Sequence, residues 1–184
     1  MKTPGLLTSK VAFIIMLLIG GCVRAPKGVE PVANFDVNRY LGTWYEIARL
    51  DHSFERGLSQ VTAQYSLGKG GEIRVINRGY DQAKKKWEEA QGKAFFVESP
   101  RTGMLKVSFF GPFYGGYNIV DLDHEHYSYA LVCGPNRSYL WILSRTSRLS
   151  EATLQALVAR AKSLGFDTDN LIYVEHEDRD RKKL

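Results

Sequence analysis

The chain has 184 residues, of which 44% are hydrophobic and 24% are charged. This length and composition are typical of one globular domain with a sizeable core, and they exclude a disordered chain. The formal net charge of +5 is mild, and the basic residues are spread among acidic ones without the aromatic-basic motifs of nucleic-acid-binding modules. Nucleic acid is therefore not expected as a partner.

The first 21 residues predict a targeting segment. Lys2 and Lys10 flank an apolar run over residues 11–19, which is too short to span a bilayer and has the form of a secretory signal. The run is followed by small residues directly before Cys22, a pattern that resembles the lipobox of bacterial lipoproteins. A plain signal peptide with an incidental cysteine is the alternative interpretation.

The lipobox resemblance implies that cleavage exposes Cys22 and that its thiol and amino group carry acyl chains. Two or more chains anchor a protein far more stably than one, so residues 22–33 are predicted to be an acylated anchor and linker. The next residue is Val23 rather than aspartate, which by analogy with lipoprotein sorting favours the outer membrane, with the domain on its periplasmic face. Acylation of Cys22 leaves Cys133 without a disulfide partner, so packing must hold the fold.

Residues 34–175 are predicted to form one all-β domain. Apolar residues alternate in short segments bounded by turn residues, a pattern typical of antiparallel strands with one buried face. The glycine-rich turn over residues 68–71 separates two such segments and predicts a hairpin. The predicted strands are the segment around Trp44, residues 61–67, the segment from Ile73, and residues 87–97, 104–110, 116–122, 127–133 and 139–144.

After the eighth strand the periodicity becomes helical. Ser150 is a suitable N-cap, and apolar residues recur at helical spacing as far as Gly165, which predicts one amphipathic helix. A short final strand is predicted over residues 171–174, and residues 176–184 are predicted to form a charged, solvated tail. Eight meandering strands favour an up-and-down antiparallel barrel, because closure removes both exposed edges. A barrel of this strand number can hold one small ligand.

Two motifs, one at the first predicted strand and one just beyond the last, resemble those of one family. Gly42-Thr43-Trp44 at the first strand is similar to the G-x-W motif of lipocalins, and Arg145 in "YLWILSRT" matches their arginine beyond the last barrel strand. The T-D-Y motif is only partly present, with Asp123 at the aspartate position. Segments such as "GTWYEIAR" and "VSFFGPFYGGY" resemble the bacterial outer-membrane lipoprotein subgroup. The resemblance implies that these four motif residues, Gly42, Trp44, Asp123 and Arg145, are structural, with the guanidinium stacked on the indole at the closed end.

The lipocalin resemblance also implies a ligand site at the open end and inside the barrel. The mouth loops bring basic and aromatic side chains together, among them Phe110 and the lysines at positions 84–86, although that lysine run alone is more typical of a solvated turn. Strand alternation turns a second set of side chains inward. A basic, aromatic rim over an apolar cavity suits a fatty acid or a lysophospholipid. The predicted ligand-binding residues are Glu46, Ala48, Phe54, Arg56, Phe113, Tyr114, Arg137, Tyr139, Trp141 and Leu143.

Glu46 is the unusual member of the inward set. A carboxylate inside an apolar barrel is costly unless it is paired or protonated. Three explanations stay open from the sequence: a buried arginine or tyrosine meets the carboxylate, the carboxylate contacts ligand, or the alternation is displaced by one residue.

The favoured function is a membrane-anchored protein that holds or transports fatty acids, lysophospholipids or similar single-chain amphiphiles at the cell envelope. The sequence contains no nucleophile elbow, zinc-protease or C-x-x-C motif, so no enzyme, cofactor or metal site is predicted, and His124-Glu125-His126 is a weak metal signal. The alternatives are an envelope interaction lipoprotein with a filled barrel and, less favoured, a lipid-modifying enzyme. The sequence leaves homodimer formation open.

Overall fold

The computed structural model describes residues 23–177. The predicted targeting segment, Cys22 and residues 178–184 lie outside the described residues. Within the part that is described, no helix is long and apolar enough to cross a membrane.

The predicted eight-stranded antiparallel barrel is confirmed. Neighbouring strands in the chain pair with each other, and β1 pairs with both β8 and β2, which closes the sheet on itself. The predicted turn over residues 68–71 joins β2 and β3. Their pairing begins beside the turn, where Leu67 lies opposite Ile73, and continues to Leu58 opposite Asp81. The strands are β1 Gly42–Arg49, β2 Leu58–Leu67, β3 Ile73–Asp81, β4 Lys86–Phe96, β5 Met104–Ser108, β6 Gly115–Leu122, β7 Tyr129–Cys133 and β8 Leu140–Ser144.

The two ends of the barrel differ in how they are covered. The short helix α1 (Val37–Tyr40) precedes β1 and covers the closed end, where the β2–β3, β4–β5 and β6–β7 loops also lie. The β1–β2, β3–β4, β5–β6 and β7–β8 loops lie at the opposite end, which we call the mouth. Because the strands alternate in direction, every sequence segment that follows an odd-numbered strand from β1 to β7 reaches the mouth.

The helix α2 (Glu151–Ser163) packs on the outside of the barrel. Its N-cap is Ser150, as predicted: the Ser150 hydroxyl accepts a hydrogen bond from Thr153 N at 3.1 Å. Leu157 and Ala161 are its buried residues, and they belong to a cluster between the helix and the barrel wall, which we call the outer cluster. A second group of buried residues, which includes Trp44, fills much of the barrel interior and forms the inner cluster.

The chain after α2 returns to the first strand. A 3₁₀ turn (Thr168–Asn170) leads to the short strand β9 (Ile172–Tyr173), which pairs with Ala48 and Arg49 at the upper end of β1. Residue His176 then hydrogen-bonds the Glu46 carbonyl oxygen at 2.7 Å and contacts the Tyr45 ring. The start of the predicted solvated tail is therefore packed on the barrel wall.

The first strand contains an irregularity that decides which side chains face inward. Glu46 pairs with Leu143, but Ala48 pairs with the adjacent Ile142, so the register shifts by one residue at Ile47. Such a bulge turns two successive residues to the same side of a strand. Ile47 and Ala48 both lie in the outer cluster, whereas the side chain of Arg49 reaches Glu46 on the inner side.

The predicted linker is an ordered strap on the outer wall. The Val23 carbonyl oxygen accepts a hydrogen bond from Asn118 Nδ2 at 3.3 Å, and Val32 exchanges backbone hydrogen bonds with Ile119 and Gly103. The Phe35 amide donates to the carbonyl oxygen of Arg101 at the closed end. Residues 23–35 thus run along the barrel before entering α1.

Candidate functional site

Trp44 lies at the closed end and is fully buried. Its indole Nε1 donates a hydrogen bond to the Tyr40 carbonyl oxygen at 2.8 Å, and its ring lies 4.6 Å from the Tyr40 ring, measured between centroids. The polar edge of the indole is thereby satisfied while its large apolar surface fills the base of the inner cluster. These contacts agree with the structural role expected for this residue.

Arg145 covers the outer face of that indole. Its guanidinium carbon lies 4.0 Å from the centre of the Trp44 ring, a cation–π geometry. The same guanidinium donates hydrogen bonds to the carbonyl oxygens of Arg39, Thr43 and Tyr127, so it joins three chain segments. Gly42 has a φ of +95°, and a side chain there would meet Arg145 Nη1 at 3.3 Å. Both the conformation and the space at this position therefore favour glycine.

Asp123 organises the loop between β6 and β7. Its carboxylate accepts hydrogen bonds from the backbone amides of Glu125, His126 and Ser128 and from the Ser128 hydroxyl. Burial alone would raise the pKa of Asp123, but these hydrogen bonds together outweigh that effect and lower it. The motif aspartate therefore orders the closed-end loop even though its sequence neighbours depart from the family pattern.

An apolar cavity extends through the barrel interior from the mouth to α1. Its volume is about 100 Å³, which is smaller than the volume of roughly 300–1,000 Å³ that is typical of ligand pockets. The lining is dominated by aliphatic and aromatic side chains from β2 to β6 and β8, from α1 and its flanking residues, and from the β1–β2 and β5–β6 loops. The lining residues are Phe35, Val37, Tyr40, Leu41, Glu46, Phe54, Glu55, Val61, Ala63, Tyr65, Ile73, Val75, Asn77, Ala94, Leu105, Val107, Phe109, Gly116, Tyr117, Trp141 and Leu143.

Three tyrosines bring their hydroxyl groups together on the cavity wall. The Tyr117 hydroxyl lies 2.7 Å from that of Tyr40 and accepts a hydrogen bond from that of Tyr65 at 2.8 Å. Burial raises the pKa of all three phenols, so they remain neutral. The three hydroxyl groups form a small polar patch within an otherwise apolar lining. Asn77 is a second polar point in the lining, and its buried Oδ1 has no hydrogen-bond partner in the structure.

The β1–β2 loop covers part of the mouth, and we call residues 51–57 the lid. Phe54 and Glu55 of the lid line the cavity. The Trp141 indole donates a hydrogen bond to Glu55 Oε2 at 3.0 Å, and His52 Nε2 lies 3.0 Å from the same oxygen. Phe54 stacks on the His52 ring at 4.0 Å between centroids. The Glu55 carboxylate therefore ties the lid to β8, while the stack of Phe54 on His52 lies within the lid.

Arg49 joins the lid to the first strand. Its Nη1 forms an ion pair with Glu46 Oε1 at 2.6 Å, and its Nη2 donates to the carbonyl oxygens of Glu55 and Leu58. The side chains of Glu46, Arg49 and Glu55 are buried. Burial and the neighbouring Glu55 carboxylate raise the pKa of Glu46, while the guanidinium of Arg49 opposes that shift. Glu46 thus has a buried arginine partner, and it also lines the cavity.

The residues that were predicted to face inward or to contact ligand occupy three different positions: the cavity lining, the mouth and the outer cluster. Glu46, Trp141 and Leu143 line the cavity, and Phe54 does so from the lid. Tyr139 lies above them at the mouth, stacked with Phe54 at 6.3 Å and Trp141 at 6.2 Å between ring centroids. Ala48 is a correction: the bulge at Ile47 moves it into the outer cluster, so it does not face the cavity.

The predicted basic rim is largely neutralised by neighbouring acids. Arg56 forms an exposed ion pair with Asp51 at 2.6 Å. Lys84 pairs with Asp81 and Glu88, and Lys86 also pairs with Glu88. Hydrogen bonds from Arg56 lower the pKa of Asp51, and those from Lys84 and Lys86 lower the pKa of Glu88. The pKa of Asp81 is lowered by hydrogen bonds from the Lys84 backbone amide and side chain.

Arg137 is a second correction. Its guanidinium donates to the carbonyl oxygen of Leu164, at the end of α2, and to that of Lys27 in the strap, both at 2.9 Å. It therefore fastens the helix and the strap to the β7–β8 loop on the outer side of the barrel and does not face the cavity. Cations at a helix C-terminus also interact favourably with the helix dipole.

The remaining predicted aromatics lie on the β5–β6 loop and face outward. Tyr114 contacts Phe95 and Lys106, two residues whose side chains lie on the outer wall. Phe113 is exposed. Phe109 is the aromatic side chain of this loop that lines the cavity, although the sequence analysis did not select it.

Arg49, Glu55 and the three cavity tyrosines are functional candidates that the sequence analysis missed. Strict alternation from Glu46 turns Arg49 outward, and only the bulge brings the two together. The signal that could have found Arg49 is chemical: Glu46 requires a partner, and Arg49 is the nearest cation in the chain.

The structure gives little support for a catalytic cysteine or a metal site. Burial raises the pKa of the Cys133 thiol to about 12, which disfavours the thiolate that acts as a nucleophile. Among residues 23–177, no group of three or more His, Cys, Asp or Glu side chains could hold a metal ion.

The fold and the site define a closed up-and-down β-barrel that encloses an apolar cavity beneath a loop lid. Residues 35–176 match the family described as a lipocalin-like domain, and the chain belongs to the lipocalin family.

The similarity to particular relatives spans most of the chain. It is 54% identical over 170 residues to the outer membrane lipoprotein Blc of Vibrio cholerae, covering 91% of this chain and 99% of that protein. It is 59% identical over 150 residues to the protein of the same name from Citrobacter freundii, covering 82% and 84%. Among solved structures, the cockroach allergen Per a 4 matches with a TM-score of 0.66 and 20% identity, over 85% of this chain and 96% of that one. This last likeness concerns the fold alone.

Proposed function

We propose that this chain is an outer membrane lipoprotein that binds single-chain lipids, such as fatty acids or lysophospholipids, inside its barrel. The observation that carries the proposal is the apolar cavity that begins beneath the lid and ends at α1. An apolar cavity gains affinity from each methylene that it removes from water. Glu46, Glu55 and Trp141 form the polar group near its mouth, where the head of an amphiphile would lie.

The lid must move for a long acyl chain to enter. The cavity of about 100 Å³ is too small for such a chain, because pockets for drug-sized ligands have roughly 300–1,000 Å³. Phe54 and Glu55 are the lid residues over the cavity, and Phe54 is the more exposed of the two. Displacement of Phe54 would widen the mouth without disturbing a strand.

The location follows from the anchor and from the relatives. Two relatives that are 54% and 59% identical are named outer membrane lipoproteins. Cys22 follows small residues at the end of an apolar segment, and its acylation would tether a domain that has its own hydrophobic core. The proposed activity is binding rather than catalysis, in accordance with the raised pKa of the Cys133 thiol.

The cavity proposal predicts that a bulky residue in the lining blocks ligand entry. Ala63 lines the cavity, so Ala63→Phe is expected to weaken binding of a fluorescent fatty acid at least tenfold, at a stability cost of about 1–3 kcal/mol from overpacking. Gln64→Phe is the matched control, because Gln64 is the exposed next residue of the same strand. Equal affinities of the two variants would place the ligand outside the barrel.

The anchor proposal predicts a change of location without a change of fold. Cys22→Ser is expected to move the protein from the membrane fraction to the soluble fraction, with the same circular dichroism and melting temperature as the wild-type domain. Intact-mass measurement of the wild-type protein should show acyl chains that the variant lacks. A variant that still sediments with outer membranes at high salt would refute the anchor.

A further inference from the structure

The exposed apolar side chains are concentrated at one end of the barrel. Among the described residues, the large hydrophobic side chains that are exposed lie on mouth loops or at the mouth half of the barrel, with the exception of Leu67 at the closed end. Single exposed hydrophobic residues are common on soluble proteins, but a cluster marks an interaction surface. The mouth set comprises Phe54, Trp87, Phe110, Phe113, Tyr114, Ile172 and Tyr173.

The β5–β6 loop carries the most exposed pair of this set, and we call residues 109–114 the aromatic loop. Phe110 is 80% exposed and Phe113 is 78% exposed. A turn in which the Phe113 amide donates to the Phe110 carbonyl oxygen at 3.1 Å brings the two residues together at the loop tip. Neither ring is used by the cavity, which takes Phe109 from this loop. The pair is therefore available to a partner.

The described chain begins beside this loop. The Val23 carbonyl oxygen would lie 2.4 Å from a Cβ on Gly116, and it accepts a hydrogen bond from Asn118 Nδ2. Both residues belong to β6, which begins directly after the aromatic loop. The strap therefore begins beside the base of the aromatic loop, and Cys22 is bonded to the first residue of the strap.

The chemistry around the aromatic loop fits the interface of a bilayer. Aromatic side chains are favoured at the boundary between acyl chains and headgroups, and lysines near it are attracted to anionic lipids. Tyr114 lies at the base of the loop with the ammonium group of Lys106 5.0 Å from its ring centre. The closed-end loop between β6 and β7 instead carries Asp123 and Glu125, which an anionic surface repels.

We infer that the aromatic loop inserts Phe110 and Phe113 into the membrane that holds the acyl anchor, so that the barrel mouth faces the bilayer. This inference rests on the proposed acylation of Cys22. An anchor at one point leaves the tilt of the barrel relative to the membrane undefined, whereas a second contact at the mouth fixes it. The ligand entrance then lies at the lipid surface, and a single-chain lipid can pass between bilayer and cavity without crossing open water.

The test measures the depth of two nitroxide labels in the full acylated chain, reconstituted in vesicles of phosphatidylethanolamine with a minority of phosphatidylglycerol. One label is placed by Gly111→Cys at the loop tip, where a Cβ meets nothing within 4 Å, and the other by Lys69→Cys at the closed end. The buried thiol of Cys133 should not react. The wild-type chain is treated in parallel, because label uptake there would reveal a free Cys22 and so refute the anchor separately.

The expected result is a ratio of oxygen to nickel-chelate collisions that is several-fold higher at position 111 than at position 69. Phe110→Ser with Phe113→Ser should return position 111 to aqueous values, while the control Leu67→Ser should not. Aqueous values at both positions of an acylated chain would overturn the inference. Protection of position 111 from both collision agents would also overturn it, since that result indicates a second copy seated on the loop. An unchanged depth of the label at position 111 in the variant that combines Phe110→Ser and Phe113→Ser would overturn the inference as well.

Discussion

Replacing Trp44 by alanine is expected to lower the free energy of unfolding by about 3–5 kcal/mol, the usual cost of truncating a buried tryptophan. The substitution removes a fully buried side chain, its hydrogen bond to Tyr40 and the platform on which Arg145 lies. Because these contacts are at the closed end, ligand affinity should change little under conditions where the variant is folded. Urea unfolding followed by circular dichroism measures the first quantity, and a lipid titration at low urea measures the second.

Trp87→Ala is the matched control for this experiment. Trp87 is 37% exposed on the outer wall, where it contacts Tyr80 and Arg78. Its truncation should cost only about 1 kcal/mol or less, as expected for a surface site. A Trp44 variant that unfolds like the wild type but has lost lipid affinity would contradict the structural role of this tryptophan.

The second large effect is expected at the buried ion pair. Arg49→Met should lower the free energy of unfolding near neutral pH by about 3–5 kcal/mol, because removal of one partner leaves a buried charge uncompensated. The same change removes the hydrogen bonds from Arg49 to the carbonyl oxygens of Glu55 and Leu58, so the lid should also loosen. Arg56→Met, which breaks the exposed pair with Asp51, is the control and should have little effect.

The loss caused by Arg49→Met should depend on pH. The pKa of Glu46 is already raised in the folded protein, so its contribution to stability is largest in acid and falls as the pH rises through that raised pKa. Removal of the opposing guanidinium raises the pKa further and deepens that fall. Unfolding measured at about pH 5 and near neutral pH should therefore show a larger loss at neutral pH. Adding Glu46→Gln to the variant should recover part of it, and a loss independent of pH would contradict this account.

The sequence was sufficient for the strand order because it depends on local patterns, and for the closed end because the family resemblance implied its contacts. Alternating apolar residues place Tyr65 and Val75 opposite each other in the β2–β3 hairpin, as the pairing shows. The motif residues Trp44 and Arg145 meet as the family resemblance implied. In the hairpin, periodicity and chain order indicate which side chains face the core.

The ligand end was harder to predict because non-local geometry decides it. The sequence "WYEIAR" contains no signal for the bulge at Ile47. Strict alternation therefore predicted that the Ala48 side chain faces inward and the Arg49 side chain outward, and the bulge reverses both. The partners of Arg137, in the strap and at the end of α2, are distant in sequence and carry only backbone oxygens. A local pattern cannot reveal such contacts. The charged mouth loops likewise form their own ion pairs, which composition alone does not show.

The most direct test of a lipid site inside the barrel is the dependence of affinity on chain length. Delipidated Cys22→Ser protein would be titrated with straight-chain fatty acids of increasing length, competing against one fluorescent fatty acid. Each methylene that enters the cavity should add about 0.8 kcal/mol, or roughly a fourfold gain in affinity, until the cavity is full. A lipid site inside the barrel predicts saturable binding of one ligand per barrel, with this slope followed by a plateau. Binding that is absent, or that does not vary with chain length, would contradict it.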